Sequence, residues 1–469
     1  MKGYVFILIL LFFSLISLAG PSNFQWTHHN WFDGTFINTT VKGSLVLAKG
    51  LMTLWSSRFD QGGVDLARSV AVDRHDNIII AGYSLNDELR NCSHLIKYNP
   101  QGRVRWSKCI GVTSRAMDVA ADSENNLIAV GYTYLGSYNY QIAKYNPQGE
   151  IKWSRIYYGG GEDIATAVAV DFQDNIIVTG YSTLVDLDYY TIKYSPLGEM
   201  LWARRYDSGH HDYAFDVAVD SKGNVIVTGK STGYYTIKYS PLGEMLWARR
   251  YDGDTAFGVA TDPYDNIIVT GHSGGDFLTI KYDSGGRLLW VRRYDGGGED
   301  IAFAVATDSQ GNIILSGSSG LTIKYDSAGR MLWKKGFNRN RSGNQALGVA
   351  VDSKDRIVIT GTSREDYYTI KYSDGYLPFG AYIKTRDFSR KVFFKELIAW
   401  ASLNGGEMTF SIEAFDGRAA KAINLKLLDG KHSYDISTLE GRHIKIRVDF
   451  YTDDPRRTPL LRSFALIGE

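Results

Sequence analysis

An excess of charge is missing from this sequence: 52 Lys and Arg stand against 51 Asp and Glu. That balance argues against a global electrostatic attraction to nucleic acid or to an anionic membrane, although a local patch stays compatible with it. Long apolar runs are missing once residue 19 is passed, so no later segment reaches the length of a membrane span. Cysteine is scarce: only Cys92 and Cys109 occur, and none follows Ala19, where a lipoprotein anchor would need one. A helical period is absent throughout. What is present is a β-rich chain of 469 residues, long enough for a repeat domain and a second module.

Residues 1–19 read MKGYVFILILLFFSLISLA, a lone Lys2, an apolar run and a small-x-small ending at Ser17 and Ala19. This is signal-peptide grammar, and it predicts cleavage near Ala19 and a secreted or cell-surface body. The alternative is an uncleaved anchor, the one route to membrane contact. An exported chain permits a disulfide between Cys92 and Cys109. A hairpin register centred on Pro100-Gln101 sets the thiols opposite each other, whereas a one-residue shift sends them to opposite faces, and both outcomes stay open.

The stretch Tyr189–Asp207, YYTIKYSPLGEMLWARRYD, returns letter for letter at Tyr234–Asp252. Looser copies recur along most of the chain. Trp55, Trp106, Trp153, Trp202, Trp247, Trp290 and Trp333 mark seven units. Seven Lys-Tyr pairs, from Tyr98 to Tyr372, and seven Asp that close a short apolar run, from Asp73 to Asp352, give the same count. In the third unit Thr166–Asp171, Ile176–Ser182, Tyr189–Ser195 and Met200–Tyr206 read as four antiparallel strands joined by turns. Four strands per repeat describe a propeller blade, and the chain reads as an all-β, seven-bladed β-propeller.

Side-chain size agrees. Ala stands two and six residues before the Asp anchor in every unit, while Tyr and Trp concentrate in the third and fourth strands. Small inside and large outside is what a wedge-shaped gap between blades demands. The last unit has Gly380 where the others have Trp, and the unmatched Trp55 precedes the first complete set of three strands. The strand Gly50–Phe59 is therefore expected to complete the seventh blade as a velcro closure and remove the open edge.

The recurring D-Y-x-T-I-K-Y…G-x-x-L-W-x-x-R-Y-D…A-x-A-V-A-V-D-x-x-G-N-I-I-V-T-G resembles the SBBP-type β-propeller repeat of exported bacterial and archaeal proteins. The resemblance covers residues 50–375 and implies a fold and a surface location, with no shared catalytic motif. Residues 376–469 lack the repeat and read as a β-sandwich, as in Thr409–Phe415 and His443–Tyr451. Their end resembles the closing strands of jelly-roll accessory modules, and Trp31–Thr40 resembles the opening of such modules. One sandwich split by the inserted propeller follows, with 20–49 belonging to it; the alternative is a loose N-terminal arm.

Asp to the Gly ending the second strand is nine residues in every unit, and Lys to the next Trp is nine in six. Connections from second to third strand, and from Trp to the next Asp, vary in length. Both emerge at one end of every blade, which marks the expected binding face. Eight residues before the anchor stand Asp65, Ser114, Asp163, Asp212, Asp254, Asp300 and Asn344, all short and polar. They read either as caps of their own loops or as a polar channel mouth holding a sugar, a peptide end or a divalent cation such as calcium. His210 and His211, in the same loop set, are weak metal candidates, since adjacent residues of a strand point opposite ways. No catalytic set is legible. The expected function is non-catalytic binding of a protein or glycan partner by a monomer, without nucleic acid. The alternative is a polysaccharide lyase or glycosidase at the channel mouth, for which Glu88, Glu162 or Glu299 would have to supply the carboxylate pair.

Overall fold

The computed structural model describes side chains for residues 53–373, except 61–63, 85–91, 111–113, 337–343 and 364, and for 425–426; elsewhere it describes backbone strands only. The chain divides into two compact units, Thr53–Tyr372 and Met1–Met52 with Ser373–Glu469. Among the described residues no helix is long and apolar enough to cross a membrane.

The first unit is a propeller of seven four-stranded antiparallel sheets. In six blades the strands follow in chain order, as in the third: Asp163–Val170, Ile176–Thr183, Leu187–Tyr194 and Met200–Tyr206. In the seventh, Gln345–Val351, Ile357–Ser363 and Asp366–Gly375 take Gly50–Phe59 as the outer strand, so the N-terminal segment closes the ring. The seven first strands touch one another in succession, and the seventh touches the first.

No blade buries its own face. Ile128, Val130, Tyr140 and Ile142 of the second blade pack on Ala165, Val168, Ile176 and Ile192 of the third, and the other cores are likewise shared by neighbours. The Ala six before each anchor is 0–4 % exposed. Beside it lies the Gly that ends each second strand, and a Cβ on Gly180, Gly229 or Gly271 would come within 2.7–2.8 Å of the tyrosine hydroxyl of the preceding blade. Those hydroxyls, on Tyr140, Tyr189 and Tyr234, donate across the gap to the carbonyls of Tyr190, Tyr235 and Leu278. The invariant glycine is the socket for a neighbour's ring.

Every first strand carries a bulge one residue after that Ala, at Arg68, Met117, Thr166, Phe215, Phe257, Phe303 and Leu347. The sequence reading begins the third blade's first strand at Thr166, but the strand begins at Asp163. A bulge breaks the period of two, which is the signal by which a strand is read.

In all seven blades the repeat Lys meets the Asp anchor, at 2.7–2.9 Å and with little or no exposure. The same ammonium reaches the next blade: Lys144, Lys193, Lys238 and Lys281 donate to the carbonyls of Pro196, Pro241, Ser284 and Ser327. Burial alone would raise the Asp220 carboxyl, but hydrogen bonds from Lys238 and Asn224 outweigh it and hold it below the ordinary value.

In the second unit Thr35–Ile37 pairs antiparallel with the start of Phe379–Ser402. Leu45–Ala48 pairs with Leu460–Gly468, as does Val5–Leu10 inside the expected leader.

Lys238→Met should cost about 3–5 kcal/mol, because the buried Asp220 carboxylate loses its only cationic partner among the described residues and keeps just neutral hydrogen-bond donors. Adding Asp220→Asn should recover part of the loss. Urea unfolding of the three proteins checks both steps, and equal stability of the single variant and the wild type would refute the argument.

Candidate functional site

The two constant turns are fully used by the scaffold. In the turn after the first strand, Asp171 Oδ1 accepts the N–H of Gln173 and Asn175, and Asn175 Nδ2 donates back to Oδ2. The fourth turn residue adopts positive φ, as at Asp174 (62°), and its carboxylate accepts from Ser123 of the blade before. Equivalent Ser–Asp links join Ser221 to Asp265, Ser309 to Asp355 and Ser353 to Asp76. A hairpin turn accounts for this pattern, and every carboxylate in it is occupied.

On the opposite, variable face the seven short polar residues are placed as follows. Asp65, Ser114, Asp163, Asp212, Asp300 and Asn344 are buried at 0–8 %, whereas Asp254 is exposed. Asp163, Asp212 and Asp300 accept the N–H of Gly159, Ser208 and Gly296, each four residues earlier in the same loop. Asp254 accepts instead from Gly274 in the neighbouring hairpin. Ser114 bonds Ser93 of the preceding blade at 2.9 Å. The main chain of the series also ties blades together: the N–H groups of Asp65, Asp212 and Asp300 donate to the carbonyls of Glu365, Leu187 and Gly275.

His210 and His211 are exposed, and neither belongs to a ligand cluster among the described residues. His211 Nδ1 accepts the N–H of Leu187. Of the acidic residues considered for catalysis, Glu162 and Glu299 are exposed and Glu88 lies outside the described residues.

Cys92 and Cys109 are joined by a disulfide with Cα atoms 5.8 Å apart. The one-residue shift considered from sequence is present at the turn but does not hold as far as the cysteines. Val104 pairs with Tyr98, and after a bulge Trp106 pairs with Lys97 and Cys109 with His94. The turn and the bulge each shift the pairing by one residue, so the face changes twice and Cys92 lies diagonally across from Cys109 on the same side.

Residues that the sequence reading did not single out form the most distinctive surface. The bulged residues of blades four to six are Phe215, Phe257 and Phe303, half-buried, with ring centroids 5.1 and 5.9 Å apart. The arc continues through Tyr213, which meets Tyr181 at 5.1 Å. On the other side Arg115 stacks on Tyr83 at 4.7 Å. Beside this arc a groove of about 600 Å³ is lined by Tyr134, Ser137 and Tyr138 of blade two, and by Glu162, Thr183 and Leu187 of blade three. Tyr134, Leu135, Tyr158, Leu184 and Val185, on the adjoining loops, are 54–93 % exposed. The signal available in the sequence was variation: five residues before the anchor, between constant positions, stand Arg, Met, Thr, Phe, Phe, Phe and Leu.

One position later the repeat is broken twice by acids. Asp118 accepts the N–H groups of Val119 and of Val168 in the next blade, and the Ser69 hydroxyl donates to it. Asp216 accepts from Val217 and from Val259 of the next blade. Burial pushes Asp118 up to about 6. It pushes Asp216 up to about 8, with the Asp118 charge adding to the effect. These carboxyls staple innermost strands together.

No protein-family model matches the chain, and no curated protein matches it in sequence.

Asp163→Ala and Asp300→Ala should each lower stability by about 0.5–2 kcal/mol, as lost side-chain caps do. The double variant should lose the sum, since the sites share no partner. Melting with and without chelator checks this, and a chelator-dependent, non-additive loss would place a shared cation on the ring instead. A second expectation concerns pH. Asp216 binds its proton more tightly folded than unfolded, so its contribution to stability falls as pH rises from about 4 to about 8. The melting temperature of Asp216→Asn should gain on the wild type between pH 5 and pH 9, and a constant difference would show that Asp216 does not titrate in this window.

Proposed function

We propose that the chain is an exported, non-catalytic propeller that binds a protein or glycan partner through its variable-loop face, centred on blades two and three. The observation that carries this reading is the concentration of exposed Tyr134, Leu135, Tyr158, Leu184 and Val185 around one groove. Clustered exposed aromatic and aliphatic side chains mark interaction sites, and aromatic anchors supply most of the energy of such contacts. The leader Met1–Ala19 supports secretion or cell-surface display, and the resemblance of the repeat to the SBBP type favours the same location. Pairing of Thr35–Ile37 and Leu45–Ala48 with strands of 376–469 favours one sandwich interrupted by the propeller.

A glycan array and an affinity capture against surface proteins, run with the secreted chain, identify the partner. Tyr138→Ala combined with Leu184→Asp should weaken the retained interaction at least about tenfold, the loss of one or two anchors. The melting temperature should stay near that of the wild type. Undiminished binding would remove the groove from the function. Turnover of a retained glycan that disappears in Glu162→Gln would replace binding with the lyase or glycosidase reading.

A further inference from the structure

In three blades an Arg three residues after the outer-strand Trp meets an Asp near the start of the third strand. The pairs are Arg205 with Asp188 at 2.8 Å, Arg293 with Asp276 at 3.3 Å, and Arg58 with Asp366. Blade three departs from this pattern by one residue. Asp186 precedes Asp188 in the connecting loop, and an oxygen from each of Asp186, Asp188 and Asp207 lies within 4.8 Å of the others.

Asp188 is only 2 % exposed. Arg205 donates to its Oδ2, while Oδ1 is buried and accepts no hydrogen bond from any described residue. A buried carboxylate oxygen without a donor is costly. Burial first, and then the charges of Asp207 and Asp186, hold the Asp188 carboxyl above its usual range, with Arg205 opposing them. One guanidinium faces three carboxylates, so the cluster keeps a negative balance around an unpartnered oxygen.

We propose that Asp186, Asp188 and Asp207 bind one hard divalent cation of the calcium class. The donors are oxygens only, which suits calcium and disfavours metals that prefer imidazole or thiolate. Asp188 would ligate through Oδ1 while Arg205 keeps Oδ2, and solvent completes the coordination. Three protein carboxylates, one of them shared with Arg205, put the affinity in the weak range of extracellular modules, about 10⁻⁴–10⁻³ M. The ion pins the loop 183–187, which carries Leu184 and Val185, so it stiffens part of the proposed binding face. The cation site requires no partner, and its test is independent of the glycan and protein screens.

The experiment uses the full secreted chain, with calcium titrated calorimetrically and melting followed in millimolar calcium against chelator. The wild type should bind calcium and melt higher with it, and calcium should slow proteolysis within 183–187. Asp186→Asn, at a half-exposed loop position, should weaken calcium at least about tenfold by loss of a charged ligand. Its melting temperature in chelator should equal that of the wild type. If that baseline falls, titration of Asp207→Asn decides, with the same loss of affinity expected. No calcium binding by the wild type overturns the proposal. So does binding that survives both substitutions, which would place the ion elsewhere, for instance at Asp60, Asp65 and Asp366, a second acidic trio among the described residues.

Discussion

The structure depends on one buried ammonium group per blade, and in blades two to five that group serves two blades at once. Lys193 pairs with Asp171 inside its own sheet at 2.9 Å and donates to Pro241 of the next at 3.3 Å. Trp202 stands opposite Lys193 in register, so its indole N–H reaches the same carbonyl, at 3.0 Å. The turn that offers this carbonyl holds Gly243 at φ 81°, where a Cβ would lie 2.9 Å from the Trp202 ring. Arg204 closes the arrangement by stacking on Trp202 and donating to the Gly243 carbonyl. Nine residues from Lys to Trp is thus the hairpin length that brings two donors to one acceptor. Isolated buried ion pairs are weak evidence for stability. Here the ion pair is also the inter-blade contact, so ring and blade stand or fall together.

Closure by the N-terminal strand redistributes this contact. Trp55 donates to Pro100 and so joins the seventh blade to the first as its counterparts join the others. The seventh blade takes its fourth strand from Gly50–Phe59 and has no turn between third and fourth strands to offer a carbonyl. Trp333 Nε1, which would use that turn, has no acceptor among the described residues. The sixth blade still holds the seventh through the Ser309–Asp355 link and through Lys335, which lies 4.6 Å from the centre of the Tyr372 ring. The order of the chain leaves this junction different from the rest.

Blade number, strand order and closure were legible because they repeat, and three markers that recur seven times in the same order cannot agree by accident. The site was less legible for the opposite reason. Phe215, Phe257 and Phe303 occupy bulges, where the period that assigns faces is interrupted, so their shared arc cannot be read by alternation. Asp163 and Asp300 were visible as polar residues near a loop, but whether such a carboxylate faces a ligand or its own loop depends on a turn four residues long. The cysteines show the same limit: one shift of register separates them, two bring them back. Asp118 and Asp216 are single departures from a small-residue position, and only the neighbouring blade's N–H groups explain them.

Repetition and departure also set opposite limits on stability with pH. All seven anchor carboxyls are held below their ordinary value, because hydrogen bonds from Lys and its neighbours outweigh burial. Their stabilisation is present above the unfolded pKa and is lost as pH falls through the folded one. Asp118 and Asp216 are raised, mainly by burial, so their contribution is full in acid and declines as pH climbs toward about 6 and about 8. The acid limit is therefore shared by every blade and should be cooperative. The alkaline limit sits in blades two and four, beside Met117 and Phe215 on the innermost strands. Loss of protons there would loosen the ring next to the variable face before it touched the Lys–Asp pairs that define the fold.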